Sequence, residues 1–370
     1  MDHSSITISI HFPAASSFLS SETHSLIKAV IFLLVLMTSL LVYILITLVI
    51  KNRRERLRKR LSRITDLLIQ RMLFNEDQEF AGSLTSGAGK FLKIKTFRYL
   101  LIEELVKAKR NFSGVAANNL QLLYQECNLN NDSYQKLVSR KWYLKALGIQ
   151  ELAEMGQSSS FDLIFELTNH SNEQVRMEAQ NAVVKFSGLT GLNFLDFLTY
   201  PLSDWQQIQL INQLGDVEQN ASEYIRKWIG SSNNSVVIFS LKLAARFHHF
   251  ELHDRVALCL VHPSAEVRYH AIRTLKEIFD ENTAANLVKL YDGEGLRNQL
   301  AILEVLQDIG TENELPFLER EFITEQNEIR LAAGRAIAKM AGIEYLETGK
   351  VSMEHPWREI IQQIKGEVKE

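Results

Sequence analysis

Residues 267–278 read VRYHAIRTLKEI. Val267, Ala271, Thr274, Leu275 and Ile278 occupy offsets 0, 4, 7, 8 and 11, one face of an α-helix. The same phase recurs in residues 175–186, VRMEAQNAVVKF, and in residues 329–340, IRLAAGRAIAKM. Working outward, each such helix closes on a large apolar residue: Met155, Phe186, Leu214, Phe247, Ile278, Ile309 and Met340. The intervals are 31, 28, 33, 31, 31 and 31 residues. A fixed period of about 20–50 residues marks stacked repeats, in which each unit buries its apolar face only against its neighbours. First helices are expected over 161–167, 192–198, 224–229, 256–260, 287–290 and 315–322. Gly156, Gly188, Gly215, Gly310 and Gly342 follow the closing residues and suit left-handed helix ends. Two units are irregular: one starts on Asn298, and the other carries Gln207 at offset 4.

Val175-Arg176, Val267-Arg268 and Ile329-Arg330 each have alanine three residues beyond the arginine. Over residues 137–343 this resembles HEAT repeats, with Leu296-Arg297 a shifted variant. The resemblance implies an all-α fold: a right-handed α-solenoid of about seven HEAT-like helix pairs. In that family the arginine commonly pairs with an aspartate in the inter-helix turn. The turns here hold Asn172, Ser264, Glu294 and Gln326 instead.

Residues 29–50, AVIFLLVLMTSLLVYILITLVI, form an uncharged run. At about 1.5 Å per residue it is long enough to cross a hydrocarbon core of about 30 Å as one transmembrane helix preceding the solenoid. No basic residue precedes Lys28, which separates the run from a cleaved signal peptide. Lys51, Arg53, Arg54, Arg56, Arg58, Lys59, Arg60 and Arg63 follow it. They predict a cytoplasmic membrane location with residues 1–28 outside and the C-terminal part in the cytoplasm. The same side chains are candidate contacts for anionic lipid headgroups. Leu57, Leu61, Ile64, Leu68 and Met72 continue a helical stripe, so residues 51–74 read as a basic juxtamembrane helix. Residues 75–90 read as a Gly/Ser-rich linker, 91–136 as an N-terminal helical cap with Ser113 as an N-cap, and 344–370 as a terminal helix and tail.

The net charge is −3 although residues 51–63 carry eight basic groups and one acidic group, so the body is acidic. That argues against nonspecific nucleic-acid binding. Cys127 and Cys259, within helical patterns, read as core hydrophobes. Ser86-Gly87-Ala88-Gly89-Lys90 resembles the end of a phosphate loop, but Leu84 and Phe91 stand where glycine and Ser/Thr are required. His249 and His253 have a metal-ligand spacing, yet they fall at a helix junction where histidines commonly serve structure. No GxSxG or Cys-x-x-Cys occurs. No metal, cofactor or catalytic residue is assigned.

The remaining candidate is the inner face. Offsets 3, 6 and 10 of the second helices are expected to point away from the core. They nominate Gln206, Gln209, Gln213, Lys242, Arg246, His270 and Arg273, with Trp205 beside them, as a partner groove whose basic centre suits an acidic segment. The expected function is a non-enzymatic, membrane-anchored scaffold or adaptor binding a protein partner near the bilayer, in an envelope or transport assembly. It is similar to membrane-anchored HEAT-like proteins of bacterial type. Two alternatives stay open: a HEAT-like lyase or small-ligand-binding protein, and a structural homo-oligomer.

Overall fold

The computed structural model describes residues 15–74, 89–215, 221–348 and 355–368. The first fourteen residues and residues 75–88, which include most of the expected linker, lie outside them. Gly89 and Lys90 begin a short helical turn. The chain divides into two units, Met1–Cys127 and Asn128–Glu370.

In the first unit, α1 (Ala15–Phe74) is one unbroken helix of 60 residues. It contains a stretch long and apolar enough to cross a membrane, and nothing among the described residues covers that stretch. Farther on, Leu61, Leu68, Ile69 and Met72 are buried against α2 (Lys95–Asn111) and α3 (Gly114–Glu126). The stripe read from residue 57 onward therefore closes a three-helix bundle, with Leu57 left exposed. Phe97, Leu101, Ile102 and Leu105 of α2 and Leu120, Leu123 and Tyr124 of α3 fill its core. Side chains seal the helix ends: Asn119 Nδ2 donates to the Met72 carbonyl at 3.3 Å, and Arg98 Nη1 to the Cys127 carbonyl at 3.0 Å. Ser113 occupies the N-cap position of α3 without a side-chain capping bond.

The second unit is a stack of helix pairs sharing one continuous core from Leu137 to Ile364. Its second helices are α5 (Trp142–Glu154), α7 (Glu173–Ser187), α8 (Asp204–Gln213), α10 (Asn234–Arg246), α12 (Ala265–Glu277), α14 (Leu296–Ile309) and α16 (Asn327–Ala341). Each ends within one residue of its expected closing position. The first helices are α4 (Asn130–Leu137), α6 (Phe161–Phe165), α9 (Ala221–Ile229), α11 (His253–Ala257), α13 (Thr283–Leu290) and α15 (Leu315–Phe322). Several continue as a 3₁₀ turn, and a 3₁₀ stretch over Gly188–Asp196 stands in for one of them. The pair α4/α5 begins the stack, whereas residues 95–126, grouped with α4 as a cap in the sequence reading, pack on α1. Gly148 makes that first pair possible, since a Cβ there would sit 2.4 Å from the Leu137 backbone nitrogen. At the other end, α17 (Ile343–Thr348) and α18 (His355–Val368) close the stack on α16, with Ile361 and Ile364 buried.

The apolar phase holds throughout: Val175, Ala179, Ala182 and Val183, and their counterparts on α10, α12 and α16, are all buried. Each large aliphatic side chain so buried contributes about 1.5–3 kcal/mol relative to exposure. The irregular positions take up hydrogen bonds, although Gln207 Oε1 has no partner among the described residues. Asn298 Nδ2 donates to the Ala265 carbonyl and to Glu294, and Gln207 Nε2 to the Leu202 carbonyl. Gly156, Gly188, Gly215 and Gly342 have positive φ as expected. Gly310 does not (φ −67); a Cβ there would meet the Leu306 carbonyl at 2.5 Å, so it serves close packing.

Candidate partner-binding face

The second helices pack directly side by side, except that α8 and α10 approach each other less closely, and the first helices touch one another sparsely. Offsets 6 and 10 of the second helices leave the layer: Arg246, Arg273, Glu304, Asp308 and Lys339 are exposed and Gln209, Gln213 and Lys242 half-buried. Offset 3 does not. Gln206 is only 1% exposed, donating from Nε2 to the Met177 carbonyl and Asn181 Oδ1, and Phe239 is fully buried. Gln206 is thus removed from the groove, because neighbouring second helices approach too closely for offset 3 to remain open. Trp205 stands free at 62% exposure, with Ile208 at 48% one turn along α8.

The expected basic centre is largely neutralised. Lys242 Nζ donates to Asp204 Oδ1 at 2.9 Å, and Arg273 Nη1 to Glu304 Oε2 at 2.7 Å. The Lys242 ammonium, with lesser help from His270 and Arg297, holds the Asp204 carboxyl below its ordinary range. His270 lies half-buried beside Glu266 at 3.5 Å, and burial followed by Lys242 keeps its imidazole below the usual value. Arg246 alone of the three expected cations lacks a carboxylate partner among the described residues. It lies over the neighbouring Phe247 ring.

The Arg273–Glu304 pair belongs to a wider ladder. Lys185–Glu154 (2.6 Å), Lys227–Asp196 (2.6 Å), Arg297–Glu266, Arg273–Glu304 and Lys339–Asp308 each join residues 31 apart. The sequence reading missed it, although its signal was the period itself: opposite charges one repeat apart. The signature arginines do something else. Arg176, Arg268 and Arg330 donate to the carbonyls of His170, His262 and Thr324, six residues back, and so cap each first helix. Arg268 also grips the buried Glu294 carboxylate of the following turn through two bonds, at 2.5 and 3.0 Å.

An open recess of about 310 Å³ lies between α12 and α14, lined by Tyr269, Leu296, Leu300, Ala301, Arg297 and Glu304. Its Arg297 guanidinium sits 4.0 Å over the Tyr269 ring. His249 and His253 turn to different partners: His249 Nδ1 meets Glu251 at 3.0 Å, and His253 Nε2 meets Thr283 at 2.9 Å. The basic residues 51–60 and Arg63 are exposed along α1, with Arg58 3.6 Å from Glu103.

Residues 254–338 match the family model for HEAT repeats. That stretch, residues 254–338, carries HEAT repeats. Its solved structural neighbours include an engineered protein, 14% identical with a TM-score of 0.39, over 84% of this chain and 99% of that one. Another is Kap121p bound to RanGTP, 12% identical with a TM-score of 0.34; this chain is covered over 83% and spans 37% of Kap121p. A third is the complex of CpcE and CpcF of phycocyanin lyase from Nostoc sp., 13% identical with a TM-score of 0.25, over 82% of this chain and 94% of that one. At these scores none carries a functional argument. No curated protein matches the chain.

Proposed function

We propose that the protein is a non-catalytic scaffold or adaptor, anchored by α1 and presenting its HEAT repeats to a protein partner at the cytoplasmic membrane face. The observation that carries the anchor is the exposure of the apolar part of α1. Its leucines, isoleucines and valines from Leu26 to Ile50 are about half exposed, whereas a soluble core helix would cover them. The basic run that follows sets the repeats on the cytoplasmic side. From Ile50 to Leu61 is about 16 Å of helix, so the bundle of α1, α2 and α3 stands close to the headgroups.

The partner face is the second-helix layer, centred on Trp205, Ile208 and Arg246. An exposed tryptophan beside an isoleucine is costly to leave in water, and such residues dominate interface energetics. A photo-crosslinking residue at Trp205 should trap a discrete protein in intact membranes. The same residue at Val261, on the opposite layer, should not. Equal yields from both positions, or none from Trp205, contradict the reading.

A further inference from the structure

The turn between α4 and α5 departs from the others in the stack. Elsewhere the turns include His170-Ser171-Asn172, Ser231-Ser232-Asn233, His262-Pro263-Ser264 and Thr324-Glu325-Gln326, with two more over 197–203 and 292–295. None pairs basic residues with exposed aromatic ones. Here the chain reads Val138-Ser139-Arg140-Lys141-Trp142-Tyr143. Arg140, Lys141, Trp142 and Tyr143 are all exposed, both rings at 51%, and the rings meet edge to face at 6.0 Å.

The cations are unspent. Lys145 occupies the helix position that Arg176, Arg268 and Arg330 hold in their repeats, but it does not fold back on the turn. The side chains of Arg140, Lys141 and Lys145 have no hydrogen bond or ion pair among the described residues. Folding does not call for them either, since positive charge at the start of a helix opposes its dipole. Three free cations around a projecting tryptophan–tyrosine pair match a surface negative outside and apolar beneath. Trp and Tyr favour the headgroup layer of a bilayer, and basic groups are drawn to an anionic leaflet. An exposed turn suits a fluid surface better than a fitted peptide, which would use a groove.

We propose that this turn is a second membrane contact. It seats Trp142 and Tyr143 among the headgroups of an anionic leaflet while Arg140, Lys141 and Lys145 meet lipid phosphates. The inference rests on the anchored reading.

The test uses the full chain reconstituted in vesicles of phosphatidylcholine alone or with phosphatidylglycerol, with brominated lipid as the fluorescence quencher. Anionic vesicles should quench a component of the emission that disappears in Trp142→Phe. That component should fall at least about threefold in Arg140→Glu/Lys141→Glu/Lys145→Glu and in neutral vesicles, following the loss of headgroup attraction. Equal quenching of wild type and Trp142→Phe overturns the proposal and leaves an acidic protein as the turn's partner. Alkaline extraction of the same vesicles reads α1 separately. A chain that washes off while Trp142 remains quenched before the wash defeats the anchor alone. A chain that stays without Trp142 quenching defeats the turn contact alone.

Discussion

Lys185 on α7 meets Glu154 on α5 at 2.6 Å, one 31-residue period away. The pair repeats the arithmetic of the core in charge, since what stacks apolar faces at that interval also brings opposite charges together. It lies at the surface, with the Lys185 side chain 37% exposed, so its worth is small. A double-mutant cycle with Glu154→Gln and Lys185→Met should give a coupling of about 0.5 kcal/mol that shrinks in molar salt. A coupling of zero at low salt would show that the ladder contributes nothing at this rung.

The buried pair in the first repeat should behave differently. Lys136 Nζ lies 2.5 Å from Glu151 Oε1, and Ser133 Oγ donates to Glu151 Oε2 at 2.6 Å. Glu151→Leu takes a hydrogen-bonded carboxylate from a buried ammonium, so it should cost about 3–5 kcal/mol. The pair Lys136→Met/Glu151→Leu should recover most of that loss. Thermal unfolding of the full chain in detergent measures both, and a double variant as unstable as the single one contradicts the account.

His248 holds a left-handed backbone, φ 51, where other units use glycine after the closing residue. A non-glycine residue there costs about 1–2 kcal/mol, part of which glycine returns as unfolded-state entropy. His248→Gly should therefore stabilise the chain by about 0.5–1 kcal/mol. A lowered melting temperature would mean that the His248 ring contributes more through Phe250 and the Glu277 carbonyl than the strain removes.

Legibility followed the apolar residues. Val267, Ala271 and Ile278 announce their helix because burial is periodic and Gly188 or Gly342 can end it. The groove was less readable because offset 3 can be open or closed depending on how tightly adjacent helices pack. Gln206 shows that a polar residue can lie at that closed position when a neighbouring carbonyl receives it. Ile208 was missed because one exposed isoleucine on a short helix has no periodic signature. The role of Arg176, Arg268 and Arg330 depended on turn carbonyls whose direction sequence does not encode.

Burial raises the Cys127 thiol to about 11. A folded-state pKa above the unfolded one favours the protonated form, so this contribution to stability is full below the unfolded value. It fades as pH rises through about 11. At pH 8 the thiolate fraction should be about 100-fold below that of an unfolded cysteine. Iodoacetamide labelling of Cys127 should slow by at least that factor in the native chain and recover in denaturant. Equal rates in both states would place Cys127 outside the core.

The central claim is that α1 holds the HEAT repeats at a bilayer, and alkaline carbonate extraction of membranes from cells making the full chain tests it most directly. The chain should remain in the membrane pellet through the wash. Its release into the supernatant would contradict the account.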